Sequence, residues 1–429
     1  MQNEDSRRER IEVMAPVGSW ESLSAAIQAG ADSVYFGIEH LNMRARSSAN
    51  FTTDDLHVIA AKAQEAGIKT YLTLNTVMYP EDIGLMREIV DHAKQAGVDA
   101  IIASDIAVMQ YCNAQGMEVH LSTQLNIANT EALRFYAQFA DVVVLARELN
   151  MQQVASIHRD ILEQDIRGRK GEPIRIEMFC HGALCMAVSG KCYLSLNNLG
   201  MSANRGACAQ ICRRGYIVKD RESELELEVD NQYIMSPKDL KTIRFLDKML
   251  DAGVRVLKIE GRARGAEYVK TVVECYQEAI GVWRAGRFRD EEAEERFARW
   301  DERLARVFNR GFWDGYYQGQ TLGEWNDSHG NKATRKKVYA GKCTNYFQKP
   351  QVAEFLVEAY PVQEGCELLI TGETTGAYEL KAERIRVFEN TREQREIAGA
   401  TEAKQGTLLC IRTDETVRRG DKLYVMEDV

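Results

Sequence analysis

Five of the ten cysteines fall within thirty-three residues: Cys180, Cys185, Cys192, Cys208 and Cys212 in the stretch MFCHGALCMAVSGKCYLSLNNLGMSANRGACAQICRRGY. From Cys185 onward the spacing is C-x6-C-x15-C-x3-C. That fits neither a zinc ribbon nor a thioredoxin-type pair. Free cysteine often does no more than pack in a core, but five in one glycine-rich stretch with little hydrophobic periodicity point to ligation. Soft thiolates gathered near one point suit an iron–sulfur cluster.

Two other patterns place polar groups together. His120-Leu-Ser122-Thr-Gln124 aims three polar side chains at one face of a strand. Lys258-Ile-Glu260-Gly-Arg262 repeats the alternation with charges of both signs. Lysine as a point charge and arginine as a planar fork are the groups that hold a small dicarboxylate. Asn75, Ser104, Arg147 and His181 stand at the ends of other strand-like runs, and Asp105 and Glu148 stand where helix N-caps are expected. Signs of hydrolysis are missing: there is no H-E-x-x-H and no G-x-S-x-G. Ser122 and His120 lie two residues apart with no evident third partner.

The elements that must position these groups alternate regularly. Strands are predicted at Ile11–Pro16, Ser33–Ile38, Lys69–Asn75, Ala100–Ser104, Glu118–Gln124 and Asp141–Arg147, with amphipathic helices between them. The near-repeats AGADSVYFG, AGIKTYLTLN and AGVDAIIAS each end a helix on glycine before a buried strand. A seventh strand at Ile174–Cys180 and an eighth at Val254–Gly261 complete the count of an α/β fold of the (β/α)8, TIM-barrel type. An open doubly wound sheet is the alternative, weakened because no G-x-G-x-x-G follows the first strand. In such a barrel the polar strand ends converge on the mouth, and the cysteine segment lies over it as an insertion after strand seven.

Length and composition bound the rest. A chain of 429 residues exceeds one core. We expect a catalytic barrel over residues 1–325, with the cysteine segment 178–216 and trailing helices, a linker at 326–337, and a small closed β-barrel over 338–429. The last is read from six short alternating strands with glycine and charged turns. Glu291–Arg306 is charge-dense and expected to be a solvated helix. Hydrophobic content of 45% and charged content of 28% are those of an ordinary globular protein. No apolar run reaches membrane-spanning length, so a cytoplasmic protein without membrane contact is expected. The net charge of −9 excludes coating nucleic acid by bulk charge but leaves room for a local basic patch.

The segment EMFCHGALCMAVSGKCYLS, with NRGACAQICRRGY, MSPKDL and LKIEGR, resembles the signature of the family catalogued as U32 peptidases. APVGSWESLSAAIQAGADSVYFG and VHLSTQLNIANTEALRFY extend that resemblance over nearly all of the first 320 residues. Its better understood members hydroxylate RNA or the ubiquinone ring, among them prephenate-dependent proteins that make 5-hydroxyuridine at the tRNA wobble position. The resemblance implies a [4Fe–4S] cluster on Cys185, Cys192, Cys208 and Cys212, with Cys180 or the downstream Cys275 as alternative fourth ligands.

It further implies prephenate or a similar small organic acid as cosubstrate and the anticodon loop of tRNA as partner. His120, Ser122, Gln124, His181 and Glu260 are then the candidates for the chemistry. Asn75, Arg147, Lys258, Arg262, Arg213 and Arg214 are candidates for binding. Further basic candidates for RNA are Arg205, Lys219, Arg264 and the run Arg335–Lys337. Tyr193, Tyr216, Phe312 and Trp313 are candidates to stack a splayed base. The alternatives are a peptidase with collagenase-like activity, or hydroxylation of a ribosomal RNA base or a quinone.

Overall fold

A computed structural model of the chain describes residues 10–45, 51–214, 216–219, 221–223, 225–229, 236–325 and 330–429. Residues 326–329 of the expected linker and Met235 of the MSPKDL motif lie outside them.

The first seven strands are β1 (Glu12–Pro16), β2 (Ser33–Phe36), β3 (Lys69–Leu74), β4 (Ala100–Ala103), β5 (Glu118–Leu121), β6 (Val142–Val144) and β7 (Arg175–Gly182). Each pairs in parallel with the next. Beyond the cysteine segment come the hairpin β8 (Tyr216–Lys219) and β9 (Glu226–Val229), then β10 (Asp239–Lys241) and β11 (Val254–Ile259). β11 pairs in parallel with both β1 and β7 and closes an eight-stranded barrel. β10 runs antiparallel to the end of β7, and β12 (Phe312–Trp313) pairs with β10. The (β/α)8 expectation is correct.

The helices form because apolar residues recur at helical spacing and their ends are marked. α1 (Trp20–Gln28) has Ser19 as its cap, α2 is Asp55–Glu65, α3 is Ile83–Ala96 and α4 (Ile106–Gln115) has Asp105 as its cap. α5 (Thr130–Ala137) and α6 (Met151–Glu163) follow, the latter capped by Asn150. Glu148 therefore lies two residues short of the cap expected for it. The glycines of the three near-repeats, Gly30, Gly67 and Gly97, all have φ between 70° and 83°, a conformation that only glycine adopts without strain. They turn the chain out of a helix and straight into the next strand.

In place of a simple helix after β7 stand the irregular residues 183–193 and the short α7 (Leu194–Leu199). The barrel is completed by α8 (Leu246–Asp251), the nineteen-residue α9 (Ala266–Arg284), which packs on α1, and α10 (Ala293–Arg306). α10 is less solvated than its charge suggested: Ala293, Phe297, Trp300 and Leu304 form a buried stripe beneath the charged face. Among the described residues no helix is long and apolar enough to cross a membrane.

The C-terminal β region carries seven sheet strands rather than six, plus the short pair β15 (Val362–Gln363) and β19 (Glu402–Ala403). The sheet strands are β13 (Arg335–Phe347), β14 (Val352–Val357), β16 (Glu367–Gly372), β17 (Gly376–Lys381), β18 (Ile385–Phe388), β20 (Leu408–Arg412) and β21 (Lys422–Asp428). They run antiparallel in the order β17-β16-β21-β13-β14-β20-β18. One of the six expected strands, read over AYELKAERIRVF, breaks in two at Ala382. Its halves are the two end strands of the sheet, and the short connection lets them stand no more than about 14 Å apart. The sheet must therefore curl around its core, although no ladder joins the ends among the described residues. This region docks on the outside of the barrel: Leu369 and Ala377 pack against Ala25 of α1 and Ala266 of α9. Lys270 Nζ donates to the Ala377 carbonyl at 2.9 Å.

Candidate functional site at the barrel mouth

Inward-facing side chains fill the barrel in layers. At its N-terminal end Tyr71 donates to Glu12 at 2.7 Å, Arg175 donates to the same carboxylate at 3.2 Å, and Glu118 bridges His120 and Lys170. Met14, Tyr35, Ala100, Ile102, Val142 and Val256 form an apolar layer with Tyr71. At the C-terminal ends of the strands opens a cavity of about 170 Å³. Four groups of residues line it: Asn75, Ser122 and Gln124; Arg44, Arg147, Lys258, Glu260 and Arg262; Tyr35 and Phe179; and Cys185, Cys192, Cys208 and Cys212.

The cationic wall is built with care for each charge. Lys258 Nζ donates to the buried Glu177 at 2.7 Å and lies 4.7 Å from the centre of the Tyr35 ring. Arg262 is buried and donates to Thr73 Oγ1 at 3.0 Å and Asn42 Oδ1 at 3.2 Å. Burial brings its guanidinium down to about 10. Gly37 makes room for it, because a Cβ there would collide with Arg262 Nη1. Arg147 stacks 4.0 Å over the Phe179 ring and donates to the Ala183 carbonyl. Glu260 accepts from Arg44 at 2.9 Å and from Tyr35 at 3.2 Å. Burial works to raise its carboxyl, but Arg44, Arg147 and Arg262 outweigh that and bring it down to about 2.

Counted with Glu177, four cations face two carboxylates among the described residues around the cavity, an excess of two positive charges. In the same cavity, Asn75 Nδ2 donates to Ser122 Oγ at 3.0 Å and to Gln124 Oε1 at 3.3 Å, and Ser122 bonds to Gln124. Gln124 reaches the cavity from a single turn, Thr123–Leu125, after β5 has ended.

The cysteine segment is pinned over the mouth. Arg205 forms a two-pronged pair with Asp82 and stacks 4.1 Å over the Tyr79 ring. Asn126 Nδ2 donates to the Ser189 carbonyl at 3.0 Å. Gly206, at φ 77°, leaves no room for a Cβ against the Asn42 carbonyl. All four implied cysteines reach the cavity, and Cys212 has its thiol pushed up by burial and by the other three. Among the described residues no three His, Cys, Asp or Glu side chains converge on one point as a single-ion site requires. A cluster spreads its thiolates around a larger body, so four cysteines distributed over one cavity wall fit that group. Cys180 and Cys275 do not reach the cavity: Cys180 is buried against Lys258 O, and Cys275 is buried in α9 with its thiol pushed up to about 12. Cys112 is buried in α4.

Several expected site residues lie elsewhere. His120 is fully buried in the floor, its ring 4.4 Å from that of Tyr71, below the cavity rather than in it. His181 faces outward. A register shift of β7 against β11 leaves Cys180 without a partner, and a bulge of this kind re-aims the side chains beside it. His181 consequently packs among Tyr268, Tyr276 and Phe312. Burial, with Lys241 and Arg264 nearby, brings its imidazole down to about 3, so it is neutral at neutral pH.

Arg213 donates to the Leu184 carbonyl at 3.2 Å beside the cavity, and Arg214 is exposed. Arg205 is used up by Asp82. Arg335, Lys336 and Lys337 begin β13 and pair with Glu367, Glu427 and Glu267. Of the aromatic candidates, Tyr193 is exposed, Phe312 packs on His181, Trp313 is buried, and the Tyr216 side chain lies outside the described residues. Arg44 and Tyr35 were missed, because a lone arginine in a loop and a tyrosine inside a strand carry no motif.

Comparison with known proteins agrees with the sequence resemblance. The model of Peptidase family U32 matches residues 18–327. A protein named collagenase from Porphyromonas gingivalis is 62% identical over 414 residues, 96% of this chain and 97% of that protein. The tRNA hydroxylation protein P1 of Bacillus subtilis is 33% identical, covering 80% of this chain and 79% of its own. The 23S rRNA 5-hydroxycytidine C2501 synthase of Escherichia coli is 34% identical over 63% of this chain and 39% of its own length.

Proposed function

From membership of peptidase family U32, to which this chain belongs, we propose that it is an RNA-modifying hydroxylase acting on a uridine in the anticodon loop of tRNA. The observation that carries this reading is the shared cavity, in which four cysteines face an over-cationic wall. Cys185, Cys192, Cys208 and Cys212 would hold a [4Fe–4S] cluster, which when bound supplies iron chemistry next to that wall. Arg147, Lys258 and Arg262 would grip a small organic acid of the prephenate type, the planar forks orienting a carboxylate and the lysine adding point charge. Asn75, Ser122 and Gln124 offer amide and hydroxyl groups to the edge of a splayed base, and the mouth admits a single nucleotide more readily than a duplex.

Two measurements test it. Nucleoside analysis of bulk tRNA from cells lacking the protein should show loss of 5-hydroxyuridine-derived nucleosides, and an unchanged profile would sink the reading. Protein purified without air should carry about four iron per chain. Cys185→Ser, Cys192→Ser and Cys208→Ser should each lose that iron, while Cys180→Ser and Cys275→Ser keep it.

A second reading rests on the relative named collagenase, whose identity to this chain is high. Peptide hydrolysis would need a nucleophile beside a base. Ser122 contacts two amides, His120 is bonded to Glu118, and His181 points away. Gelatin cleavage that survives purification and disappears in Ser122→Ala would replace the first reading with this one.

A further inference from the structure

Three arginines meet outside the cavity around a single carboxylate. Arg213 comes from the loop after β7, Arg264 from the loop after β11, and Arg310 from the turn before β12. Asp239, buried at the start of β10, lies among them, and Arg310 Nη1 approaches it only to 3.5 Å. Arg213 spends one nitrogen on the Leu184 carbonyl, and its Nη1 is buried with no partner. The Arg264 side chain has no hydrogen bond or ion pair among the described residues; it stacks 3.5 Å over the Phe308 ring, which Arg310 approaches to 5.1 Å.

Charges of one sign held this close repel. Burial and then Arg213 bring Arg310 down to about 10, and burial depresses Arg264 as well. Other cations of the neighbouring cleft are committed. Arg303 pairs with Glu274 and Glu278, Arg306 with Glu302, and Lys337 with Glu267. Among the described residues the arginine cluster carries two positive charges beyond its one carboxylate, with Arg213 Nη1 buried and unspent.

The position matters as much as the charge. β7 and β11 are the seventh and eighth strands of the barrel, and the loops after these two strands are where such barrels commonly hold phosphate. Guanidinium forks match phosphate oxygens in pairs, and two of the three forks share the Phe308 ring.

We propose that Arg213, Arg264 and Arg310 form a phosphate-binding site on the rim of the mouth, and that it holds a backbone phosphodiester of the RNA whose base enters the cavity. The second half rests on the RNA reading above; the first half does not. The site fixes the strand beside the opening, so that the cavity itself need recognise only a nucleotide and a small acid.

The test uses full-length protein and two probes. Inorganic phosphate, compared with chloride at equal ionic strength, should raise the melting temperature of the wild type and leave that of Arg264→Gln and Arg310→Gln unmoved. Without phosphate Arg264→Gln should melt no lower than wild type, since it removes a repelled cation that has no ion pair among the described residues. Lower basal melting with the phosphate shift intact would mean that the cluster only braces Asp239, and would overturn the site.

An anticodon stem-loop RNA is the second probe. The slope of log affinity against log salt should fall by about one for each arginine removed. An unchanged slope in both variants would overturn the assignment to RNA. If wild type fails to bind the RNA while the variants lose the phosphate shift, the anion site stands and the RNA reading fails. The site would then belong to a phosphorylated small molecule.

Discussion

The floor and the mouth of the barrel are both polar and largely buried, yet they treat charge differently. In the floor, Glu12, Arg175, Glu118 and Lys170 balance one another, and Tyr71 and His120 supply hydrogen bonds. In the mouth, four cations surround two carboxylates, and amides and thiols line the space left between them. A buried charge with a partner is tolerated, and one without a partner is costly. A balanced network therefore closes a structure, whereas an unbalanced one next to a cavity is held ready for an anion. The lesson is that burial and polarity alone do not mark a site; the imbalance does.

The largest expected effect breaks the floor. Glu12→Ala leaves Arg175 and Tyr71 without their acceptor and should cost about 3 kcal/mol of stability, the lower end of the range for a broken buried pair because Arg175 can turn toward water. Denaturant unfolding measures it, and bound iron should not change in the protein that folds. A variant of normal stability that had lost activity would erase the distinction between the two regions.

In the mouth the order of effects should reverse. Arg262→Lys removes the fork that spans Thr73 and Asn42 while keeping the charge. It should lower turnover by about tenfold, or about 1.4 kcal/mol in the barrier, with little change in melting temperature. Loss of stability without loss of turnover would make Lys258, Glu260 and Arg262 a structural network like the floor.

Acid separates a third environment. His181 has its imidazole held down to about 3, so an unfolded chain binds a proton below about 6.5 that the folded one refuses. Stability is then complete above pH 6.5 and falls as pH drops toward 3, by up to about 1.4 kcal/mol per unit. Glu260, held down to about 2, adds its own loss only below about pH 4.5, where unfolded carboxylates begin to protonate. Melting temperature followed from pH 7.5 to 5 should decline in wild type and stay nearly flat in His181→Phe. An equal decline in both would place the titration elsewhere.

The smallest effect concerns the start of β13. Lys336→Glu opposes Glu427 on the solvent side of the β13–β21 ladder and should change stability by less than about 1 kcal/mol. RNA affinity should hardly move, in contrast to the arginines of the rim.

The barrel was legible because its signals are local and repeated: three glycine-ended helices, each followed at once by a buried strand. That Cys185, Cys192, Cys208 and Cys212 line one cavity was foreshadowed by their spacing and their likeness to the family signature. What stayed hidden depended on register. One bulged residue at Cys180 points His181 outward, and strict alternation along β7 gives no warning of it. His120 was read from the right face of the right strand, but at the wrong height, because alternation tells inside from outside and not floor from mouth. Arg335–Lys337 read as a free basic run, since their partners lie far along the chain at Glu367, Glu427 and Glu267. Arg310 became a candidate only when folding brought it to Asp239.

The closing of the ring by β11 also sets a timetable for synthesis. β1 and β7 both wait for Val254–Ile259 to complete their hydrogen bonding. At ordinary translation rates of 5–20 residues per second, the first strand leaves the ribosome roughly 12–50 seconds before its last neighbour is made. The four cavity cysteines emerge inside that interval, on a nascent chain whose two sheet edges are still bare. A chain that stalls before Val254 leaves both of those edges bare, the condition that invites edge-to-edge pairing.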